Sequence, residues 1–197
     1  MILTRRSLLT VALAAVGLGV AGCQSPPPPA FPEITFAHET PLALDVAEID
    51  YVEAYLAPQT APNVDHLFPV RPAAVAKRWA KDRLRAVGTS RRARVTLTDA
   101  SVTETMLKTR KGITGAFYNE QERRYDATLE VKIEIFDDRG FSQAHASTVA
   151  KVSRTVPEDI TLNDRDKVWF EMTETLAKKF DAEFERTIRT YLGGFLR

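Results

Sequence analysis

The chain has 197 residues, 44% of them hydrophobic and 27% charged, with 27 basic side chains against 26 acidic ones. That length fits a single folded domain, and a formal net charge of +1 excludes the strongly basic composition of the usual nucleic-acid binder. Outside the first twenty-odd residues, no apolar run is long enough for a membrane-spanning helix.

The N-terminus reads as a secretory signal peptide over residues 1–22. Arg5 and Arg6 form a basic start, Ser7 to Val20 is almost wholly apolar, and small residues lead into Cys23. Val20-Ala21-Gly22-Cys23 resembles the bacterial lipobox, in which a cysteine is acylated and then becomes the mature N-terminus. Cys23 is the sole cysteine of the chain, so no internal disulfide forms. Thr4-Arg5-Arg6-Ser7-Leu8-Leu9 also resembles a twin-arginine export signal, and the export route stays open. Cleavage before Cys23 leaves 175 residues with 25 basic and 26 acidic side chains.

Residues 23–41 read as a lipidated N-terminus and tether, since Pro26-Pro27-Pro28-Pro29 favours extended polyproline II. In enteric bacteria an aspartate after the cysteine retains lipoproteins in the inner membrane. Gln24 stands there in this chain, so the resemblance implies the periplasmic face of the outer membrane.

The domain then runs from residue 42 to 197. Leu42 to Tyr55 alternates as a strand, with a change of phase near Ala47-Glu48. Pro72 opens an amphipathic helix on Val75, Trp79, Ala80, Leu84 and Val87, and Gly88 is placed to stop it. Arg94 to Met106 predicts a strand with a bulge near Asp99-Ala100. Leu107 to Arg124 reads as a long loop carrying Phe117-Tyr118. Tyr125 to Phe136 alternates strictly, Asp137-Asp138-Arg139-Gly140 has turn chemistry, and Gln143 to Val156 returns. Thr161 and Asp164 begin a long helix whose apolar stripe runs from Val168 through Trp169, Phe180 and Tyr191 to Phe195, breaking near Gly193-Gly194.

This order, βαβββα, predicts an α+β two-layer sandwich: a four-stranded, mostly antiparallel sheet with two helices on one face. Together with Val20-Ala21-Gly22-Cys23, the 125–156 hairpin before a C-terminal helix resembles the lipopolysaccharide-assembly lipoprotein and the auxiliary lipoproteins of envelope ABC transporters. The resemblance is one of topology and implies no role for any particular residue.

Chemistry-bearing motifs are sparse. His38, His66 and His145 are far apart, and no Gly-x-Ser-x-Gly elbow, phosphate-binding glycine loop or His-Glu-x-x-His occurs. No catalytic residue, cofactor or metal is expected. One asymmetry remains: Lys77, Arg78, Lys81, Arg83, Arg85, Arg91, Arg92 and Arg94 face only Asp82 between residues 77 and 94. Lys81, Arg85, Arg91 and Arg92 are the candidates for a surface that meets an anionic headgroup or an acidic protein. A solvated helix face is the plainer reading of the same run.

The expected function is a non-enzymatic lipoprotein, tethered to a membrane through acylated Cys23 and binding an envelope protein partner, with no nucleic acid. A lipid or hydrophobic-ligand carrier and a regulator of a cell-wall enzyme are the alternatives. A carrier needs an apolar cavity between helices and sheet, whereas an adaptor needs a filled core and an exposed patch.

Overall fold

The computed structural model describes residues 30–107, 121–157 and 159–197. The signal segment, Cys23 and Phe117-Tyr118 lie outside the described residues. Described elements run β1 (Leu42–Leu44), β2 (Glu48–Glu53), α1 (Pro72–Arg83), β3 (Leu84–Ala86), β4 (Arg92–Asp99), β5 (Val102–Met106), β6 (Gln121–Phe136), β7 (Ser142–Pro157) and α2 (Leu162–Tyr191), with short 3-10 turns at Asp65–Leu67 and Gly193–Phe195. The class is α+β, as expected.

The strand count differs from the four expected. A five-stranded sheet has the order β2-β4-β6 with β5 and β7 also on β6, and β1 and β3 form a separate parallel pair. Of the three extra strands, two come from breaks where the sequence suggested bulges, and the third, β3, forms where the first helix was expected to continue. Asp45–Ala47 separates β1 from β2, at the predicted phase change. At Asp99–Ser101 the expected single strand parts into β4 and β5. Both still pair antiparallel with β6, which takes β4 along residues 130–136 and β5 along 123–127. The Ser101 N–H donates to Asp99 Oδ1 at 2.8 Å, an Asx turn that holds the break open. The sheet is mostly antiparallel, with β2 parallel to β4 at one edge.

β6 and β7 pair across nearly their whole length, closed by the Asp137–Phe141 turn with Gly140 at φ +87°. Period-two alternation puts Tyr125, Ala127, Leu129, Val131, Ile133 and Ile135 on one face, all fully buried, with Ala146 and Ala150 of β7 beside them. The two helices cover this face. From α2 come Trp169, Met172, Leu176, Phe180, Phe184 and Ile188, and from α1 Val75, Ala76 and Trp79. The aromatic rings interlock: Trp79 lies 4.9 Å from Phe184 and 5.2 Å from Phe180, and Trp169 lies 4.7 Å from Phe68 and 5.4 Å from Tyr125. Truncating either tryptophan to alanine costs about 3–5 kcal/mol in such a core.

The first helix is shorter than its sequence pattern. It ends at Arg83, and Leu84–Ala86 turn into β3 beside β1, leaving Val87 exposed. Gly88 serves close approach and does not stop the helix. Its N–H donates to Val46 O at 3.0 Å, and a Cβ there would come within 2.7 Å of the Asp45 and Val46 backbone. In α2 the cap is as predicted, Thr161 Oγ1 accepting from the Asp164 N–H at 3.1 Å. Its last buried position is Ile188; Tyr191 is exposed, and Leu192 beyond the helix is buried again. After the break the chain returns to the domain. Leu196 bridges Leu44, and Arg197 N–H donates to Ala43 O. At the other terminus packing begins early: Phe31 stacks on Phe170 at 5.0 Å, and the Phe36 N–H donates to Asp82 Oδ2 at 3.0 Å.

Candidate functional site: a cation-rimmed groove beside an open strand edge

The basic run between residues 77 and 94 divides into two populations. Arg83 is 1% exposed, its Nε 2.7 Å from Asp181 Oδ1, with further bonds to Glu185 and to the Thr40 carbonyl. Trp79 Nε1–H donates to the same Asp181 oxygen at 2.7 Å, so one carboxylate gathers both α1 side chains onto α2. Arg78 pairs with Asp82 at 2.8 Å and with Glu33 at 2.6 Å.

Two of the four candidates, Arg91 and Arg92, are also engaged. Arg91 adopts φ +68°, rare for a side-chain-bearing residue, and its N–H donates to Asp138 Oδ1 at 2.8 Å. Its guanidinium lies 2.9 Å from Asp45 Oδ2 and over the Phe195 ring. Arg197 reaches the same oxygen at 2.7 Å. Hydrogen bonds and charges from Arg197 and Arg91 hold the Asp45 carboxyl below its usual range, against the opposing effect of desolvation. Arg92 meets Glu48 and Asp50 of the neighbouring strand. Both arginines line a cleft of about 550 Å³ with Arg94, Phe136 and the Asp137–Gly140 turn.

Lys81 lies elsewhere. It lines a groove of about 510 Å³ between α1 and β2, whose walls are Ile49, Tyr51, Ala74, Ala80 and Leu84, with Lys77, Arg78 and Glu33 at the rim. Arg85, one residue beyond Leu84, is exposed on β3. Among the described residues Lys77, Lys81 and Arg85 make no ion pair. The four candidates therefore do not form one patch. Lys81 and Arg85 are free cations on the α1–β3 side, while Arg91 and Arg92 are tied into a separate cleft.

Local sequence explains the groove. Helical spacing puts Ala74, Lys77, Arg78 and Lys81 on one stripe of α1, next to the buried stripe through Val75, Ala76, Trp79, Ala80 and Arg83. Alternation in β2 aims Ile49 and Tyr51 toward the helix, and Glu48 and Asp50 toward Arg92. Two hydrogen-bonding resources remain on this side. β2 ends the strand order, pairing only with β4 in the sheet, so its outer backbone groups form an open edge. The buried Tyr51 Oη has no hydrogen-bond partner, and its phenol is pushed up by burial and then by the Glu53 carboxylate, so it stays protonated as a donor. Tyr51 was legible only as one beat of an alternating strand; nothing in the sequence marked it as a groove residue.

Among the described residues no three His, Cys, Asp or Glu side chains cluster to hold a metal, and no helix is long and apolar enough to cross a membrane. His145 is exposed on β7, opposite Glu134. The fold is a two-layer α+β domain with a groove between α1 and the edge strand β2. No family model matches the sequence, and no curated protein does. Solved structures give loose likenesses. A minor lipoprotein from Acinetobacter baumannii shares 10% identity at a TM-score of 0.41, over 75% of this chain and 96% of that one. A protein from Xanthomonas campestris shares 10% identity at 0.36, over 79% and 91%. Likeness at this level lends this chain no function.

Proposed function

We propose that the protein is a bacterial lipoprotein, anchored through acylated Cys23 to the periplasmic face of the outer membrane, whose domain binds an envelope protein partner without catalysing a reaction. The anchoring rests on Val20-Ala21-Gly22-Cys23 and on Gln24 in the place of a retaining aspartate. The binding role is carried by one observation: free cations line an apolar groove that runs along an open strand edge. An extended partner segment with acidic and apolar side chains fits all three features. Its backbone adds to β2, its apolar side chains enter between Ile49, Tyr51 and Ala74, and its carboxylates meet Lys77 and Lys81. A carrier fits less well, because the space between helices and sheet is taken up by Trp79, Trp169, Phe180 and Phe184.

Two measurements test this. Cys23→Ser is expected to leave the chain unprocessed or released from membranes; a mature, membrane-bound Cys23→Ser protein overturns the anchoring. A photo-cross-linking residue at Ala74 is expected to trap a discrete envelope protein, and the same residue at Val149, on the open sheet face, is not. Equal trapping at both positions, or trapping that survives Lys77, Lys81 and Arg85 all changed to Gln at low salt, overturns the groove.

A further inference from the structure

The groove beside β2 has a repeat built into one wall. α1 and β2 run alongside each other in opposite directions: Ile49 shares the groove with Leu84, just past the end of the helix, whereas Glu53 and Tyr55 share a cavity with Pro72 and Ala73 at its start. A strand added to the open edge of β2 therefore runs along the helix axis. Lys77 and Lys81, both exposed and without an ion pair among the described residues, stand four positions apart in that wall. At a rise of 1.5 Å per residue they are separated by about 6 Å along the axis. Successive residues of a strand point to opposite faces, and residues two apart return to the same face after about 6.7 Å. Carboxylates at i and i+2 of an added strand thus meet both lysines. With carboxylates at i and i+1 one of the two faces away from the helix, and at i and i+4 they lie about 13 Å apart, twice the spacing of the lysines.

The molecule already makes one match of this kind. On the neighbouring stripe of α1, Glu33 meets Arg78 at 2.6 Å, and Thr35 Oγ1 donates to Asp82 Oδ2 at 2.9 Å. Two side chains that are two residues apart in the N-terminal segment thereby engage two that are four apart in the helix. Glu33 stands at the groove's rim, but its carboxylate is taken by Arg78 and leaves Lys77 and Lys81 to an outside partner. The opposite wall adds a donor of its own. The Tyr51 hydroxyl is buried without a hydrogen-bond partner, and a carboxylate has lone pairs enough to accept from it while facing a lysine. Charge, spacing and the unused hydroxyl all call for acceptors at a two-residue period.

We infer that the groove reads an acidic period of two: it takes an extended protein segment bearing carboxylates at positions i and i+2 on the face turned to α1. The inference rests on the strand-addition reading of the groove and adds the pattern that the partner carries. Full-length protein in detergent is titrated, by fluorescence anisotropy, against three capped and labelled peptides of threonine and valine. One has aspartates at i and i+2, one has them at i and i+1, and one has asparagines at i and i+2. The first is expected to bind about threefold or more tighter than the second, since one exposed ion pair is a few-fold effect, and tighter still than the third. The preference should shrink as salt is raised. Lys81→Gln is expected to bring the first two peptides to equal affinity, because a single lysine serves either spacing alike. Equal affinity of these two peptides for the unaltered protein, a preference that survives in Lys81→Gln, or binding of none of the three overturns the acidic period. The groove itself is decided separately, by trapping at Ala74, so a trapped partner with no preference for spacing removes this inference alone.

Discussion

Arg83 and Lys81 stand two residues apart in the same helix, carry the same charge, and have opposite surroundings. Arg83 points between the helices and is held by Asp181, Glu185 and the Thr40 carbonyl. Lys81 lines the groove beside β2 and has no acidic partner among the described residues. The difference is one of helical phase, about 200° between positions i and i+2. A run of cations in a sequence thus says how much charge is present but not how much is available. Half of this run is spent within the fold: Arg78, Arg83, Arg91 and Arg92 all have carboxylate partners.

The comparison is easiest to break at Arg83. Arg83→Ala leaves Asp181 and Glu185 facing a void at the α1–α2 contact and is expected to cost about 3–5 kcal/mol of stability in urea denaturation. A loss below about 1 kcal/mol would show that the buried guanidinium is not what joins the helices.

A smaller effect should appear with pH. For Glu185, burial would raise the carboxyl, but hydrogen bonding from Arg189 and the charges of Arg83 and Arg189 outweigh it and hold the group below the usual range. Asp82 behaves alike: desolvation is outweighed by bonds from the Phe36 N–H, Arg78 and Thr35. A carboxyl depressed in the folded state adds stability that is complete above its unfolded value, near 4, and is lost as pH falls through the folded value. Stability should therefore be level from about pH 7 to 5 and decline below about pH 4. Arg83→Ala should flatten that decline, and an unchanged acid slope in the variant would separate Glu185 from Arg83.

The smallest effect belongs to the outward cations. Lys77, Lys81 and Arg85 changed together to Gln should alter stability by no more than about 0.5 kcal/mol, because none of them has a partner to lose. A melting midpoint that falls as far as that of Arg83→Ala would erase the distinction between the two populations.

Local patterns in the sequence determined much of this domain. Strict alternation from Tyr125 to Ile135 specified a strand with one buried face, since a pleated chain turns successive side chains to opposite sides. The stripe through Trp169, Met172, Leu176, Phe180 and Phe184 specified the long helix in the same way. Other features waited on distant contacts. Whether residues 84–86 continue a helix or pair with β1 depends on Leu42–Leu44, some forty residues earlier, and on the bare Gly88 that lets the two chains approach. Which cations stay free depends on carboxylates 45 to 102 residues away, such as Glu33, Asp45, Asp181 and Glu185. The groove is likewise a meeting of β2 with a segment remote in sequence. Periodicity records only which side of its own element a residue takes; the charge or side chain it meets there is supplied by the packing of other elements against it.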